Sequence, residues 1–433
     1  MSATVSMLIA VGIFIGTYIL IITEVINKML ASLIGAFLLI LTGILSQDIA
    51  LRAIDWNVIF FLIGMMLVIA VLRRTGIFMY IAIKTAKLAR GNPLLIMMLM
   101  FVVTAFSSAF LGSVTSIMIL IPIILLICNE LKITPVPYII TMVVASNMGG
   151  AATMIGDPPN IIIGSATDYD FLDFIFNLTP AIILATIACL GLMWVMYHGK
   201  LKVSRENRAR MMSYKEEGLI KDKRMLKISL ITVAVMLVLL ALESTLKIGT
   251  ASISMSAGLF LILVGQRNDI EHIMVHEVDW VTLFFFVGLF TIVEGLVQTG
   301  FISLLAHKVL ELTHNQARPT SMAILWLSGI LSAFIDNVPF VATMIPLIKQ
   351  IGTVISQPNL MDPIWWSMSL GTCLGGNGTL IGASSNVVAI GITKKNGINI
   401  SFMEFTKVSV AYTILSLVIS SVYILIRDRK SVV

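Results

Sequence analysis

The chain has 433 residues, of which 58% are hydrophobic and only 12% are charged, and its mean hydropathy is +1.00. A soluble domain carries about 25% charged residues, so these values exclude a water-soluble body of this length. The formal net charge of +6 equals the excess in one connector, described below, and does not require a nucleic-acid partner. The composition predicts an all-α polytopic membrane protein whose partner is the lipid bilayer.

In the first half, apolar segments near 5–23, 28–45 and 57–72 approach the roughly 20 residues that a membrane span needs. Within the basic stretch from Arg73 to Arg90, the sequence IFMYIAIKTAKLA alternates apolar and basic residues at near-helical spacing, which predicts a helix on the cytoplasmic surface. The alternative is a spanning segment, which would have to accommodate the lysines. The next segment, 93–128, has two apolar arms around the polar, small-residue sequence FSSAFLGSVTS. Such a tip requires protein or a cavity to satisfy its backbone, which predicts a re-entrant hairpin.

Spans near 137–165 and 178–197 complete a first transmembrane unit at 1–197. The connector 198–227 carries ten Lys or Arg and four Asp or Glu, an excess of 10 − 4 = +6. Because cytoplasmic loops are rich in Lys and Arg, we expect this connector in the cytoplasm. The remainder, 228–433, is a second transmembrane unit with its own hairpin near 319–350.

The second unit repeats the first in one register. Four motifs of the first unit recur 224 residues later, namely Asp55-Trp56, Thr75-Gly76, Ser108-Ala109-Phe110 and Pro122. Five further positions recur 226 residues later, namely Gly149, Gly150, Thr153, Gly156 and Asn160. The duplication predicts about ten transmembrane helices and two re-entrant hairpins. Five crossings per unit would invert the second copy and place both termini outside the cell.

The span 137–165 is interrupted by the sequence NMGGAATMIGDPPN. Pro158 and Pro159 lack amide hydrogens, which leaves carbonyls of the preceding turn without helical partners. Asp157 stands in apolar surroundings, where an ionised carboxylate must bind a cation, hold a proton or find a donor. The alternative is that Asp157 caps the half-helix that follows it. Interrupted helices in inverted repeats typically surround a substrate and ion site near the membrane midplane.

Three other polar segments belong with this break. One is the equivalent break of the second unit, and the other two are the hairpin tips, which are equivalent to each other. The second break, CLGGNGTLIGASSN, has Ala383-Ser384-Ser385 in place of Asp-Pro-Pro. The second hairpin tip carries Asp336 and Asn337, whereas the first tip carries Ser113 and Thr115 and no acid. Carboxylate, amide and hydroxyl oxygens suit a hard cation or a proton, and half-helix amino termini suit an anion.

These segments define the predicted substrate- and ion-binding residues, which are Ser113, Thr115, Asn147, Thr153, Asp157, Asn160, Asp336, Asn337, Asn377, Thr379, Ser384, Ser385 and Asn386. A coupling sodium ion would bind at Asp157, Asp336 and Asn337. The cysteines stand singly and the histidines lie at segment ends or in loops, so we predict no structural metal, no catalytic centre and no cofactor beyond the coupling ion.

The segments GGAATMIGDPPN, IDNVPFVATMIP and GTLIGASSNVVAIGI resemble the P-protein branch of the ion transporter superfamily. That superfamily also holds ArsB-type arsenite permeases, NhaD-type sodium/proton antiporters and dicarboxylate/citrate carriers. The resemblance implies two hairpins that meet at a central site, elevator-like alternating access and often a homodimer. It assigns to that site Asp157, Asn160, Asp336, Asn337, Thr379 and Asn386. Branch members often carry Asp-Asn at the first tip as well, where this chain has Gly112-Ser113.

The expected function is secondary active transport across the cell membrane, coupled to H⁺ or Na⁺, because the chain has no phosphate-binding loop. Proton-coupled export of arsenite or antimonite, a small inorganic oxyacid, is the first expectation and rests on the resemblance. Sodium/proton antiport and sodium-coupled dicarboxylate or citrate transport are the alternatives, and a passive channel is the hypothesis outside this class. A dianion is disfavoured because the apolar segments hold little positive charge.

Overall fold

The computed structural model describes residues 3–23, 25–213, 218–265, 269–313, 316–354 and 358–428. These residues form α-helices and no strand. The helices of the first half are α1 (Ala3–Thr23), α2 (Lys28–Leu41), α3 (Gln47–Ala53), α4 (Trp56–Arg74), α5 (Ile77–Leu88), α6 (Pro93–Leu111), α7 (Ser113–Leu131), α8 (Val136–Gly150), α9 (Pro158–Ala166) and α10 (Phe171–Tyr197).

The connector contains α11 (Arg205–Met212). The helices of the second half are α12 (Lys223–Ala241), α13 (Glu243–Leu246), α14 (Thr250–Gly265), α15 (Ile270–His276), α16 (Trp280–Gln298), α17 (Phe301–Leu312), α18 (Ala317–Leu331), α19 (Asn337–Val354), α20 (Pro358–Gly375), α21 (Ser384–Lys395) and α22 (Phe402–Asp428). Their order repeats that of α1–α10, apart from the short α13.

Eight helices in the described ranges are long and apolar enough to cross a membrane, namely α1, α4, α6, α7, α10, α12, α16 and α22. The helices α2, α8 and α14 are apolar but shorter. The predicted class, an all-α polytopic membrane protein, is confirmed. The predicted count of ten spans treats α8 with α9 as one broken span, and α20 with α21 as another. It assigns α6 and α7 to a re-entrant hairpin rather than to two crossings.

The repeated motifs mark helix ends. Asp55 and Asp279 are the N-cap residues of α4 and α16, and each side chain accepts backbone N–H groups of the first turn. Gly76 and Gly300 start α5 and α17 at φ of 84° and 78°, a left-handed conformation that glycine adopts without strain. The sequence therefore repeats because both halves need the same caps and the same turn.

The helices pack into two bodies. The first, here called the framework, contains α1, α2, α4, α12, α14 and α16, in which α2 packs on α16 and α4 packs on α14. The second, the inner bundle, contains α6–α10 and α18–α22, in which α7 packs on α21 and α9 packs on α19. These pairings are reciprocal. Because α14 is the second-half equivalent of α2 and α16 that of α4, the contacts α2–α16 and α4–α14 are equivalent, as a two-fold relation between the halves requires.

The hairpins pack closely on the broken helices. A Cβ added to Gly149 would lie 1.9 Å from the Ala105 carbonyl oxygen, and one added to Gly375 would lie 2.4 Å from that of Gly329. In addition, Ser108 Oγ donates to the Ser146 carbonyl at 2.5 Å. The glycines and the small hairpin residues therefore let each hairpin lie directly against the helix that carries the break.

Basic segments gather at one end of the molecule. The connector helix α11 packs on α7 and α5, and Arg210 Nε lies 3.4 Å from Glu130 Oε2. At the end of α4, Arg73 pairs with Glu277, and Arg74 Nη1 lies 2.5 Å from Asp269 Oδ2. The hydrogen bond and positive charge of Arg74 lower the pKa of the Asp269 carboxyl. This end carries the charge that predicts the cytoplasmic side.

Candidate functional site

A cavity of about 980 Å³ lies between the framework and the inner bundle. Both halves line it: α4 and α16 form its framework wall, and the hairpin tips and breaks form its inner wall. Seven of the predicted site residues line it, namely Ser113, Thr115, Asp157, Asp336, Asn337, Ser384 and Ser385. The cavity therefore joins all four polar segments that the sequence singles out.

The first carboxylate, Asp157, is 4% exposed and lies at the end of the first break. Its Oδ1 accepts a hydrogen bond from Ser113 Oγ at 2.8 Å, and among the described residues its Oδ2 has no hydrogen-bond partner. Asp157 occupies the N-cap position of α9, but its side chain makes no cap bond. Pro158 and Pro159 offer no N–H group, and the Asn160 N–H group donates to the Asp157 carbonyl at 3.0 Å, so the capping alternative is wrong for the side chain.

The second carboxylate, Asp336, lies at the second hairpin tip with 16% of its side chain exposed. Its Oδ2 accepts a hydrogen bond from Ser384 Oγ at 2.5 Å, and its Oδ1 accepts one from Val338 N at 3.3 Å. Lys28 Nζ donates to Ser384 Oγ at 3.0 Å and lies 3.9 Å from Asp336 Oδ2. This carboxylate therefore has a cationic neighbour, contributed by the other half of the chain.

The two carboxylates come from opposite elements of the repeat. In the first half the break supplies the acid and the hairpin tip supplies the hydroxyl, Asp157 with Ser113. In the second half the tip supplies the acid and the break supplies the hydroxyl, Asp336 with Ser384. Each half thus contributes one carboxylate and one serine, although its motifs look unequal when the breaks or the tips are compared alone.

Two asparagines hold the broken backbones in place. Asn160 Nδ2 donates to the carbonyls of Ala151 and Thr153, at 3.3 and 2.9 Å. Asn386 Nδ2 donates to the carbonyls of Gly376 and Thr379, at 2.8 and 2.9 Å. These bonds satisfy carbonyls that the interrupted helices leave without partners. Both asparagines are fully buried and do not line the cavity.

The threonines of the breaks also serve the backbone. Thr153 Oγ1 donates to the Ala109 carbonyl at 2.5 Å, and Thr379 Oγ1 donates to the Ala333 carbonyl of the other hairpin. Neither side chain lines the cavity. Their hydroxyl hydrogens fix each hairpin tip to its break, which positions the carboxylates.

A buried amide network joins the halves behind the cavity. Asn147 Nδ2 donates to Asn377 Oδ1 at 2.8 Å and to Asn386 Oδ1 at 2.9 Å, and Asn147 Oδ1 accepts from Ser385 Oγ at 2.6 Å. Asn147 and Asn377 lie away from the cavity wall. Of the four residues in this network, Ser385 lines the cavity and the three asparagines do not. The network therefore stabilises the broken helices on the side away from the cavity.

Sequence reasoning missed several residues of the site. Lys28 begins an apolar segment and carries no local sign of its partner, which lies more than 300 positions away. Tyr18 Oη donates to the Pro339 carbonyl at 2.7 Å, and Ser369 Oγ donates to Asn160 Oδ1 at 2.6 Å. A polar residue inside an apolar run, as at Tyr18 and Ser369, is the signal that could have found them.

The amino-acid sequence matches a known transporter family. The family model described as citrate transporter, CitMHS, matches residues 18–371. The chain belongs to the citrate transporter family. The superfamily resemblance is thereby confirmed, and the chain is a membrane transporter.

Curated relatives extend over nearly the whole chain. It is 38% identical to the 46 kDa membrane protein of Mycobacterium leprae over 97% of this chain and 98% of that protein. It is 39% identical to an uncharacterised transporter of Mycobacterium tuberculosis with the same coverage. It is 30% identical to the P protein of Mus musculus, over 96% of this chain and 60% of that longer protein.

Among solved structures, the YdaH transporter of Alcanivorax borkumensis has a similar fold. The TM-score is 0.55, the sequence identity is 16%, and the match covers 85% of this chain and 84% of that chain. At this identity the likeness concerns the fold alone. It supports the helical architecture described above.

Proposed function

We propose that this transporter carries a small carboxylate anion of the size of citrate together with a monovalent cation. The observation that carries the proposal is the cavity, which brings Asp157 and Asp336, each with a serine hydroxyl, together with Lys28 and Arg73. Its volume of about 980 Å³ lies within the range of small-molecule sites. The family description, citrate transporter, supports the same substrate class.

The charge of the cavity explains why an anion would need a cation. Its lining includes two Lys or Arg, Lys28 and Arg73, and four acids, Asp157, Asp336, Glu277 and Asp279, which gives 2 − 4 = −2. An anion entering a negative cavity of low dielectric is repelled unless cations neutralise the carboxylates. Lys28 supplies one positive charge at the cavity, and binding of Na⁺ or H⁺ at the acids would supply the further positive charge that a dianion needs.

The site has a defined direction under the predicted topology. The cavity reaches Arg73 at the end of α4 and His276 at the end of α15, which lie at the basic end of the molecule. With the connector in the cytoplasm and both termini outside the cell, this state opens inward. Movement of the inner bundle against the framework would then expose the carboxylates to the other side, as in an elevator. A homodimer stays a prediction of the family resemblance.

Sodium/proton exchange is the second candidate. It is favoured by Asp157, whose buried Oδ2 lacks a hydrogen-bond partner within the described residues. Export of arsenite or antimonite stays a prediction. The thiol of Cys373 is fully buried and lies 3.9 Å from Asn160 Oδ1 rather than at the cavity wall, so hydroxyl and carboxylate groups would have to hold the oxyacid.

The test is uptake by proteoliposomes that contain the purified protein. Radiolabelled citrate and arsenite are offered under an inward sodium gradient, under a pH gradient and under neither, while a trapped dye reports internal pH. We expect saturable citrate accumulation that requires a gradient. Asp157→Asn and Asp336→Asn should each reduce accumulation about 100-fold, whereas Asp48→Asn, an exposed residue of α3, should not.

Other outcomes would replace the proposal. Sodium-driven alkalinisation that is independent of citrate would favour sodium/proton exchange. Accumulation of arsenite, but not citrate, under a pH gradient would favour the oxyacid exporter. A citrate flux that neither saturates nor responds to a gradient would favour a channel.

A further inference from the structure

Lys28 connects the two bodies of the fold at the substrate cavity. It is the first residue of α2 in the framework, and Asn27 fixes this helix start by accepting the Met29 N–H group at 2.9 Å. Its ammonium lies 3.9 Å from Asp336 and over the ring of Phe285, 5.2 Å from the centroid. Asp336 belongs to the inner bundle, so this ion pair crosses the surface along which the bodies would move.

The other carboxylate has no such partner. Within the described ranges Asp157 forms no ion pair, and its side-chain neighbours, Ser113 at 2.8 Å and then Cys373 and Asn337, are all neutral. The halves, which match in their backbone contacts, therefore differ in this respect. The equivalent helix in the second half, α14, starts at Thr250 where α2 starts at Lys28, so an uncharged residue stands at that position. One corner of the cavity has a resident cation and the other does not.

We propose that Lys28 couples cation binding to anion binding by exchanging partners. This inference rests on the proposed function. With the cavity empty, Lys28 pairs with Asp336; when a sodium ion occupies Asp336 and Ser384 Oγ, Lys28 is released and binds a carboxylate of the substrate. One ammonium cannot neutralise two separated carboxylates equally, so sodium and citrate each strengthen the binding of the other, as linkage requires.

The other charged and titratable groups of the cavity are already engaged or lie at another corner. Arg73 pairs with Glu277, and Asp279 accepts the Thr282 hydroxyl at 2.6 Å. Behind the cavity wall, Tyr18 Oη is bonded to the Pro339 carbonyl and lies 3.0 Å from Thr343 Oγ1. His276 lines the mouth, and Asp157 lies in the other corner. Within the described residues, Lys28 is thus the cation that faces the second hairpin tip.

The experiment measures citrate binding to the purified protein in sodium chloride and in choline chloride at constant pH. In the wild type, sodium should raise the apparent affinity for citrate about ten-fold, a typical coupling strength. In Lys28→Met the affinity should fall and the sodium effect should shrink to about two-fold, the remainder being due to Asp157. In Asp336→Asn, which frees Lys28 permanently, citrate should bind tightly in both salts, with a sodium effect of about two-fold that is due to Asp157.

The matched control is Lys395→Met, which removes an exposed lysine near the end of α21 and should leave the sodium effect unchanged. Thermal unfolding of each variant verifies that it is folded, and Lys28→Arg, which keeps the charge, should restore most of the effect. A sodium effect of wild-type size in Lys28→Met or in Asp336→Asn would overturn the role of Lys28 and leave the proposed function standing. A wild type that does not bind citrate would overturn the proposed function as well.

Discussion

The two carboxylate corners of the cavity have the same backbone and different chemistry. In each corner an asparagine holds the break and a threonine ties it to the hairpin, through Asn160 and Thr153 in one half and Asn386 and Thr379 in the other. The acids, however, come from different elements, and within the part of the chain that the structure describes a lysine lies beside Asp336 but not beside Asp157. A duplicated fold can therefore keep its geometry while its ionisable groups change places.

The largest expected effect concerns the shared backbone. Gly149→Ala and Gly375→Ala should each destabilise the protein by at least about 3 kcal/mol, because the new Cβ would overlap a hairpin carbonyl that cannot move freely. Yield after solubilisation and thermal unfolding measure this loss. The control is Gly191→Ala in α10, where the new Cβ meets no atom within 4 Å. If one of the two variants were as stable as the control, the corners would not share the same packing.

The asparagines give a second test of symmetry. Asn160→Ala and Asn386→Ala should each cost about 1–3 kcal/mol, because each removes the donor of at least one buried carbonyl. The Thr379 carbonyl keeps the Gly382 N–H group at 3.3 Å in the second variant. Thermal or denaturant unfolding in detergent is the measurement. Asn396→Ala, at an exposed position after α21, should change the free energy of unfolding by less than about 0.5 kcal/mol. If only one of the two buried asparagines had a small effect, the two breaks would not be held in the same way.

The serines should separate the corners. Ser113→Ala removes the hydroxyl that bonds Asp157 and should raise the half-saturating sodium concentration for citrate uptake about three-fold. Ser384→Ala removes both the hydroxyl that bonds Asp336 and a ligand of the proposed sodium ion, so the half-saturating sodium concentration should rise about ten-fold. The half-saturating sodium concentration in proteoliposomes measures both. Equal increases would contradict the assignment of different roles.

The smallest effect lies outside the cavity, at the pair between Arg74 and Asp269. Because the folded-state pKa of Asp269 is lowered from 3.8, the pair stabilises the protein above pH 3.8 and ceases to do so as the pH falls through the folded-state value. Asp269→Asn should therefore lower the melting temperature slightly at neutral pH and by less under strong acid. A difference that grows on acidification would contradict the assigned pair.

The sequence predicts the helices of this fold better than the contacts between them. Caps such as Asp55 and breaks such as Gly149 to Pro159 act through neighbouring residues, so their spacing predicts the helix ends. The pairing of Ser113 with Asp157 joins residues 44 positions apart, and that of Lys28 with Asp336 joins opposite halves. Such contacts depend on how the bodies pack, and no local pattern contains that information.

The polar residues of the breaks illustrate the same limit. Asn160, Thr379 and Asn386 have the residue types expected of cation ligands, yet the structure uses their donors to satisfy interrupted backbone. Sequence cannot tell an amide that binds an ion from one that binds its own helix, because both lie in the same glycine-rich segment. Burial and hydrogen-bond geometry make the distinction.

The central claim is that the cavity binds an anion at Lys28 and a cation at the carboxylates at the same time. The most direct measurement is a high-resolution map of the protein in lipid nanodiscs with sodium citrate, compared with one in choline chloride. We expect citrate density within hydrogen-bond distance of Lys28 Nζ, and a sodium ion at Asp336 or Asp157, in the first map only. Citrate bound elsewhere, with Lys28 still against Asp336, would contradict the account.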